Sequence, residues 1–262
     1  AAGGAAEWRV LLNTLVGAGL VAAGGSALNQ LFERRIDARM RRTLKRPLPA
    51  GRIKPEEAAA FGAGLAGAGL AYLAGTVSPA ATVAAAVTFV AYAFVYTPMK
   101  QKTAWNTAVG AVPGALPPVI GWYAATGWSG GAGWEAAAAL FAILFLWQIP
   151  HFLAIAWMYR TDYAAGGLKM LPGCDPTGKG TAVVMVLTAA ALLPLGFLVP
   201  MTGLGGWLFG VGSTVFGALF LRRAVEFARD RTDRNARKVL HSSLFYLPGV
   251  FALLMVDALL VK

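Results

Sequence analysis

The 262-residue chain is 57% hydrophobic and 13% charged, and its net charge is +11. Soluble proteins carry about 25% charged residues, so this composition excludes a soluble globular domain and predicts a polytopic membrane protein. The positive charge does not indicate nucleic-acid binding, because the basic residues stand between long apolar segments. The only cysteine, Cys174, excludes an intrachain disulfide and a cysteine-based metal site.

The chain contains eight apolar segments of the length that a membrane-spanning helix needs, which is about 20 residues. They are 8–32, 56–75, 79–97, 104–126, 132–159, 180–201, 204–228 and 239–261. We therefore predict an all-α fold, a transmembrane helical bundle that forms one domain over 1–262. Pro113 and Pro117 in the fourth segment and Pro150 in the fifth should bend these helices and help to open a central cavity.

The connections between these segments alternate in charge. Those after the first, third, fifth and seventh segments contain nearly all the Lys and Arg residues, whereas those after the second, fourth and sixth contain none. By the positive-inside rule, the basic connections face the cytoplasm. Both ends of this chain would then lie outside, and any site built from the basic connections would face the cytoplasm.

The end of the first segment brings acidic and basic residues together. Asn29, Glu33 and Asp37 are four residues apart, so a helix that continues through them places all three on one face. Such groups at the end of a membrane span need a partner. The same end is crowded with bases: Arg34, Arg35, Arg39, Arg41, Arg42, Lys45, Arg46, Arg52 and Lys54. Acids beside dense positive charge suit a divalent cation that bridges to an anionic substrate such as a diphosphate.

Two further polar clusters lie on the same predicted side of the membrane. One begins at Tyr96 and contains Lys100, Lys102 and Asn106. The other is the basic connection 222–238, for which the sequence leaves two interpretations, a topology signal and a contact with lipid headgroups.

A fourth cluster lies at the end of the fifth segment. Gln148, His151 and Asp162 fall on one stripe if the helix continues through all of them. The first and fifth segments then each carry a polar stripe that ends in a carboxylate. If the two stripes face each other across a cavity, they form a two-sided site for a metal and a diphosphate. For His151, a purely structural hydrogen bond is the alternative to a contact with the substrate.

At these clusters the chain resembles the UbiA superfamily of intramembrane prenyltransferases, and within it the branch that farnesylates haem. The matching segments are NQLFERRIDARMRRTLKRPLPAGRI (29–53), YTPMKQKTAWNTAVGAVPGALPPVIGW (96–122), WQIPHFLAIAWMYRTDYAAGGLKML (147–171) and ARKVLHSSLFYLPG (236–249). Other branches usually carry two aspartate-rich motifs. Here the second is reduced to His151 and Asp162, which is typical of the haem branch.

The resemblance implies a reaction in which farnesyl diphosphate, haem B and water give haem O and diphosphate. It also implies Mg²⁺ as cofactor and a bacterial inner-membrane location. The implied site residues are Asn29, Glu33, Asp37 and Asp162 for the metal; Arg42, Arg46, Lys100, Lys102, Asn106 and Arg160 for the diphosphate; and Gln148 and His151 for haem. Asn29, Glu33, Asp37, His151 and Asp162 form the implied catalytic set.

The resemblance has two departures. Family members usually have one more span before the helix of the first motif, so we expect nine spans in a full-length member, with the first one missing here. Gln101 also stands where a basic residue is frequent.

Besides its two substrates and the lipid bilayer, the family context suggests haem A synthase or oxidase assembly factors as partners. Two alternatives to haem farnesylation stay open. One is prenylation of another aromatic acceptor, such as a quinone precursor. The other is a non-enzymatic role as a haem-binding membrane protein or a transporter.

Overall fold

The computed structural model describes residues 4–127 and 134–260, and within these ranges the regular structure is entirely helical. The helices are α1 Gly4–Asp37, α2 Pro55–Thr76, α3 Pro79–Val90, α4 Thr97–Met99, α5 Asn106–Ala115, α6 Pro117–Thr126, α7 Trp134–Met158, α8 Arg160–Ala165, α9 Leu171–Cys174, α10 Lys179–Met201, α11 Trp207–Arg229 and α12 Asp233–Leu260. Eight helical stretches in the described part of the chain are long and apolar enough to cross a membrane. The predicted all-α class and the predicted number of spans are confirmed.

The helix boundaries differ from the predicted ones mainly where charged residues extend an apolar segment. α1 continues to Asp37 and α12 begins at Asp233, several residues beyond the predicted limits in both cases. Charged side chains do not end a helix. The helix continues through them, and its charged end lies outside the hydrocarbon layer. Positions 132–133 of the fifth predicted segment and 261 of the eighth lie outside the described residues.

The third and fourth spans are irregular. A π-helical segment, Ala91–Tyr96, joins α3 to α4, and the Tyr92 carbonyl accepts a hydrogen bond from the Thr97 amide five residues later. The fourth span is broken at Leu116, between α5 and α6, as the prolines of that segment predict. π-Helical turns often occur at functional sites. This one directly precedes the polar residues that begin at Thr97.

The described chain divides into two compact units, and the prediction of a single domain stays a prediction. The first unit is Ala1–Trp134 with Asp162–Leu168. In it α1 packs on α2 through small residues. A Cβ atom on Gly24 would lie 2.6 Å from the Ala66 nitrogen, so only glycine permits this close approach.

The second unit is Glu135–Thr161 with Lys169–Lys262, in which α11 packs against both α10 and α12. The buried Asp257 accepts hydrogen bonds from the backbone amides of Gly206 and Phe209. This carboxylate therefore caps the N-terminus of α11, where unpaired amides favour a negative charge.

The N-terminus of α10 is capped in a similar way from the connection that precedes it. The Thr181 amide donates to Asp175 Oδ2 at 2.8 Å, and the Thr177 hydroxyl donates to Oδ1 at 3.2 Å. Burial raises the pKa of the Asp175 carboxyl, but these hydrogen bonds outweigh that effect and hold the pKa below its usual 3.8.

Candidate functional site

The C-terminal part of α1 carries three polar side chains that are almost completely buried. Asn29, Glu33 and Asp37 are 7%, 5% and 0% exposed, and Asn29 Nδ2 donates to Glu33 Oε2 at 3.1 Å. Lys100 Nζ donates to Asn29 Oδ1 at 3.2 Å. It also lies 2.9 Å from Glu33 Oε1, an ion pair that is not aligned as a hydrogen bond. The structure thus brings together the first acid cluster and a base from the second polar cluster.

Thr97 adds a hydroxyl group to this cluster. Its Oγ1 lies 3.0 Å from Asn29 Oδ1 and 2.9 Å from the Tyr92 carbonyl oxygen. The π-helical turn before Thr97 leads directly to this position. Lys100 in turn lies over the Tyr96 ring, 4.5 Å from its centroid. The irregular helix therefore orients both Thr97 and Lys100 toward the end of α1.

Asp37 has one paired oxygen and one unpaired oxygen. Its Oδ2 accepts from Arg46 Nη1 at 2.8 Å, and its backbone carbonyl accepts from the Thr43 hydroxyl at 2.9 Å. Its Oδ1 is buried without a hydrogen-bond partner among the described residues. Leaving a buried acceptor unsatisfied costs about 1–3 kcal/mol. A cation at Oδ1 would remove this cost, because it would replace the missing donor.

Asp162 belongs to the same unit and contacts the loop that follows α1. The backbone amides of Arg41 and Arg42 donate to Asp162 Oδ1 and Oδ2, each at 3.1 Å. Arg42 Nη2 also donates to the Tyr163 hydroxyl at 3.3 Å. Asp162 and Tyr163 therefore hold the loop that carries Arg46 in place beside Asp37.

The prediction that one continuous helix carries Gln148, His151 and Asp162 is wrong. α7 ends at Met158, and a separate short helix, α8, begins at Arg160. Asp162–Leu168 belong to the first unit, whereas Glu135–Thr161 belong to the second.

Three further predicted diphosphate ligands differ in their surroundings. Lys102 is exposed. Asn106 is buried, and its Nδ2 donates to the Thr103 carbonyl at 2.6 Å, which stabilises the turn before α5. Arg160, in the second unit, forms an ion pair with Asp233 at 2.7 Å. Their roles with a diphosphate stay predictions.

The predicted haem-contacting residues lie on α7. Gln148 is buried at 3% exposure, and His151 is half-buried. The His151 ring stacks on Trp147 with centroids 5.1 Å apart. The Trp147 indole donates to the Ser243 carbonyl at 2.8 Å. Together α7 and α12 fix the position of the imidazole ring.

The hydrogen bonds around His151 also indicate its tautomer. His151 Nδ1 lies 2.8 Å from Ser243 Oγ, and the Ser243 hydroxyl donates to the Leu240 carbonyl at 2.6 Å. Because the single hydroxyl proton is used in the second bond, the Ser243 oxygen accepts a hydrogen bond from Nδ1–H. The lone pair of the neutral imidazole is then on Nε2, which is the form that binds a metal.

The donor set at the end of α1 fits a hard divalent cation. Among the described residues, no three His, Cys, Asp or Glu side chains are grouped closely enough to form a metal site. Glu33 and Asp37 supply two carboxylates, and Asn29 supplies an amide oxygen. Mg²⁺ usually binds one or two carboxylates and completes its shell with waters and substrate phosphates. The site therefore fits Mg²⁺ together with a phosphorylated substrate.

Sequence reasoning assigned no role to Thr97, which it placed in the second polar cluster, or to Ser243. Both lie inside segments that carry the family resemblance, but a hydroxyl group has no spacing pattern that separates a functional role from ordinary helix packing. Their contacts depend on a π-helical turn and on the pairing of α7 with α12, and neither feature has a signal in this sequence.

The chain matches known proteins over nearly its whole length. The model of the UbiA prenyltransferase family matches residues 1–247. The chain is 46% identical over 247 residues to the protoheme IX farnesyltransferase of Solibacter usitatus, which covers 94% of this chain and 83% of that protein. It is 48% identical to the protein of the same name in Salinibacter ruber, with coverages of 94% and 86%.

Two solved structures have the same fold. A UbiA homologue from Aeropyrum pernix K1 matches 95% of this chain and 90% of its own with a TM-score of 0.74 at 20% identity. A UbiA homologue from Archaeoglobus fulgidus, bound to GPP and Mg²⁺, matches 94% and 88% with a TM-score of 0.59 at 16% identity. At these identities the likeness concerns the fold alone.

Proposed function

Because the chain belongs to the UbiA prenyltransferase family, we propose that it transfers the farnesyl group of farnesyl diphosphate to the vinyl side chain of haem B. Water adds in the same reaction, and the products are haem O and diphosphate. Identities of 46% and 48% to two proteins named protoheme IX farnesyltransferase support haem as the acceptor.

The observation that carries the proposal is the buried cluster at the end of α1, where an unpaired carboxylate oxygen lies beside paired cations. Glu33 and Asp37 are balanced by Lys100 and Arg46. The cluster is therefore formally neutral without a metal. A divalent cation makes it positive, and it then attracts a diphosphate. This charge balance is typical of a site that binds a metal and an anionic substrate together.

The first half of the mechanism is departure of the diphosphate. Negative charge accumulates on its oxygens as the bond to the farnesyl carbon breaks. Arg46 and Lys100 stabilise that charge, because their positions are already determined by Asp37 and Glu33. Asn29, Glu33 and Asp37 would hold Mg²⁺, which supplies Lewis-acid stabilisation of the leaving group when bound. Asp162 would act indirectly, by holding the loop that carries Arg46.

The second half is attack by the haem vinyl group on the allylic carbon. Apolar spans hold the farnesyl chain and exclude bulk water, which would otherwise capture the allylic cation. One water molecule then adds to the cation that forms on the former vinyl group and loses a proton, giving the hydroxyl of haem O. His151, with its Nε2 lone pair, orients the haem by contacting the iron or the macrocycle.

The basic connections also support a location and an orientation. By the positive-inside rule, the loop after α1 faces the cytoplasm of a bacterial inner membrane. Farnesyl diphosphate is anionic and water-exposed at its headgroup, so a cytoplasmic opening gives it direct access to Arg46 and Lys100.

The proposal is tested by supplying purified protein in lipid nanodiscs with farnesyl diphosphate, haem B and Mg²⁺, and by identifying extracted haems by mass spectrometry. We expect haem O from the native protein, at least about a hundredfold less from Glu33→Gln, and native amounts from Glu56→Gln. The control removes one carboxylate from the same unit, at an exposed position on α2. A prenylated quinone precursor in place of haem O, or bound haem without any product, would reject haem farnesylation.

A further inference from the structure

The second unit contains a groove that the proposed reaction does not use. It lies between α11 and α12 and has a volume of about 380 Å³. Its basic end, nearest the turn that joins the two helices, includes Arg222, Arg223 and Lys238. Its apolar end includes Phe216, Leu219 and Phe245. The groove therefore changes from positively charged to apolar over about two helical turns.

The apolar end is open on the surface of the helix pair. Leu219 is 51% exposed and Phe245 is 74% exposed. Lys238 and Phe245 are seven residues apart and share one face of α12, whereas Ser243 lies about 140° from Lys238 at 100° per residue. Since Ser243 is fully buried beside His151, the groove is on a different face of α12 from the proposed haem contact. In a membrane, the exposed apolar side chains lie against acyl chains.

The basic end retains a net positive charge after its internal pairing. Glu226 binds Arg222 at 3.0 Å and Arg223 at 2.8 Å, and it lies 3.8 Å from Lys238. Three cations thus share one carboxylate. Ion pairs of exposed side chains contribute little free energy, so these cations can turn toward a second anion without a large loss of stability.

We propose that this groove binds an anionic phospholipid of the surrounding leaflet. The phosphate lies at Arg222 and Lys238, and an acyl chain lies along Leu219 and Phe245. Anionic lipids of the cytoplasmic leaflet are attracted to basic residues beside a membrane span. The polarity of the groove also matches that of a phospholipid standing in the membrane, with its charge at the boundary and its chains inside. The proposal does not depend on the reaction at α1.

The test is native mass spectrometry of the full chain, released from nanodiscs that contain phosphatidylglycerol and phosphatidylcholine. We expect the native protein to retain phosphatidylglycerol, and the double variant Arg222→Gln/Lys238→Gln to retain roughly tenfold less. The control Arg229→Gln/Arg234→Gln removes the same charge from exposed positions outside the groove, and it should retain the lipid. Phe245→Ala should lower retention without changing the charge.

Several results would overturn the proposal. Equal losses in the two double variants would show a general attraction to positive charge without a site. Displacement of the lipid by inorganic phosphate alone would show an anion site without acyl-chain recognition. Loss of haem binding in Arg222→Gln/Lys238→Gln, with lipid retention unchanged, would assign the cations to haem propionates. Haem O formation is measured in parallel, so a failure of the proposed reaction remains distinguishable from a failure of lipid binding.

Discussion

The ion pair between Arg46 and Asp37 gives a prediction in which stability and activity separate. Asp37 is completely buried and one of its oxygens already has no donor, so Arg46 is the main compensation for its charge. Removing one partner of a buried ion pair costs about 3–5 kcal/mol, whereas an exposed pair contributes about 1 kcal/mol or less. The Arg46 side chain is 33% exposed. We therefore expect Arg46→Gln to lose roughly 1–3 kcal/mol of unfolding free energy.

The double variant Asp37→Asn/Arg46→Gln should recover most of this loss, because neither charge remains to be compensated. Both variants should form little haem O, since each lacks a group that contacts the metal or the diphosphate. For a chain of this size, 1 kcal/mol shifts the melting temperature by about 2–4 °C. The assay is thermal unfolding in one detergent, followed by tryptophan fluorescence, for the native protein and the variants.

Millimolar Mg²⁺ gives a second readout that is independent of turnover. A cation that binds only the folded state raises the free energy of unfolding by an amount that grows with the logarithm of its concentration divided by its dissociation constant. Mg²⁺ should therefore stabilise Arg46→Gln and should have no such effect on the double variant. An Arg46→Gln protein as stable as the native one, or a double variant no more stable than the single one, would refute the charge-compensation argument.

Three further predictions concern other parts of the chain. Ser243→Ala removes the acceptor for the His151 Nδ1 proton, so it should weaken haem binding several-fold and shift the absorption maximum of bound haem; an unchanged spectrum would contradict the proposed tautomer. Asp175→Asn should lower the melting temperature at pH 7, and this loss should shrink as the pH falls below 3.8 and vanish only below the folded pKa. A carboxyl whose pKa falls on folding stabilises the protein fully above its unfolded pKa and loses that contribution as the pH falls through the folded pKa. Gly24→Leu should abolish folding, because its Cβ would lie 2.6 Å from a backbone nitrogen of α2. Gly19→Leu adds a Cβ that has nothing within 4 Å, and it should express normally; equal yields of the two would contradict the packing argument.

Local patterns in the sequence were sufficient for the membrane class, the eight spans and the polar face of α1. Hydropathy and the position of basic residues report the environment of each helix directly, and a spacing of four residues puts Asn29, Glu33 and Asp37 on one face of any α-helix. The break in the fourth span also follows locally, because Pro117 removes a backbone donor.

Only the tertiary structure decided which partners these groups have. Lys100 meets Glu33 at the end of a π-helical segment of the third span. Asp162, on the separate short helix α8, accepts from the backbone amide of Arg41 in the loop after α1. Asp37 Oδ1 is likewise buried without a hydrogen-bond partner among the described residues, and the spacing of the acids along α1 does not predict this. Sequence periodicity describes each helix by itself, whereas pairing between helices depends on packing contacts made by residues far apart in the chain.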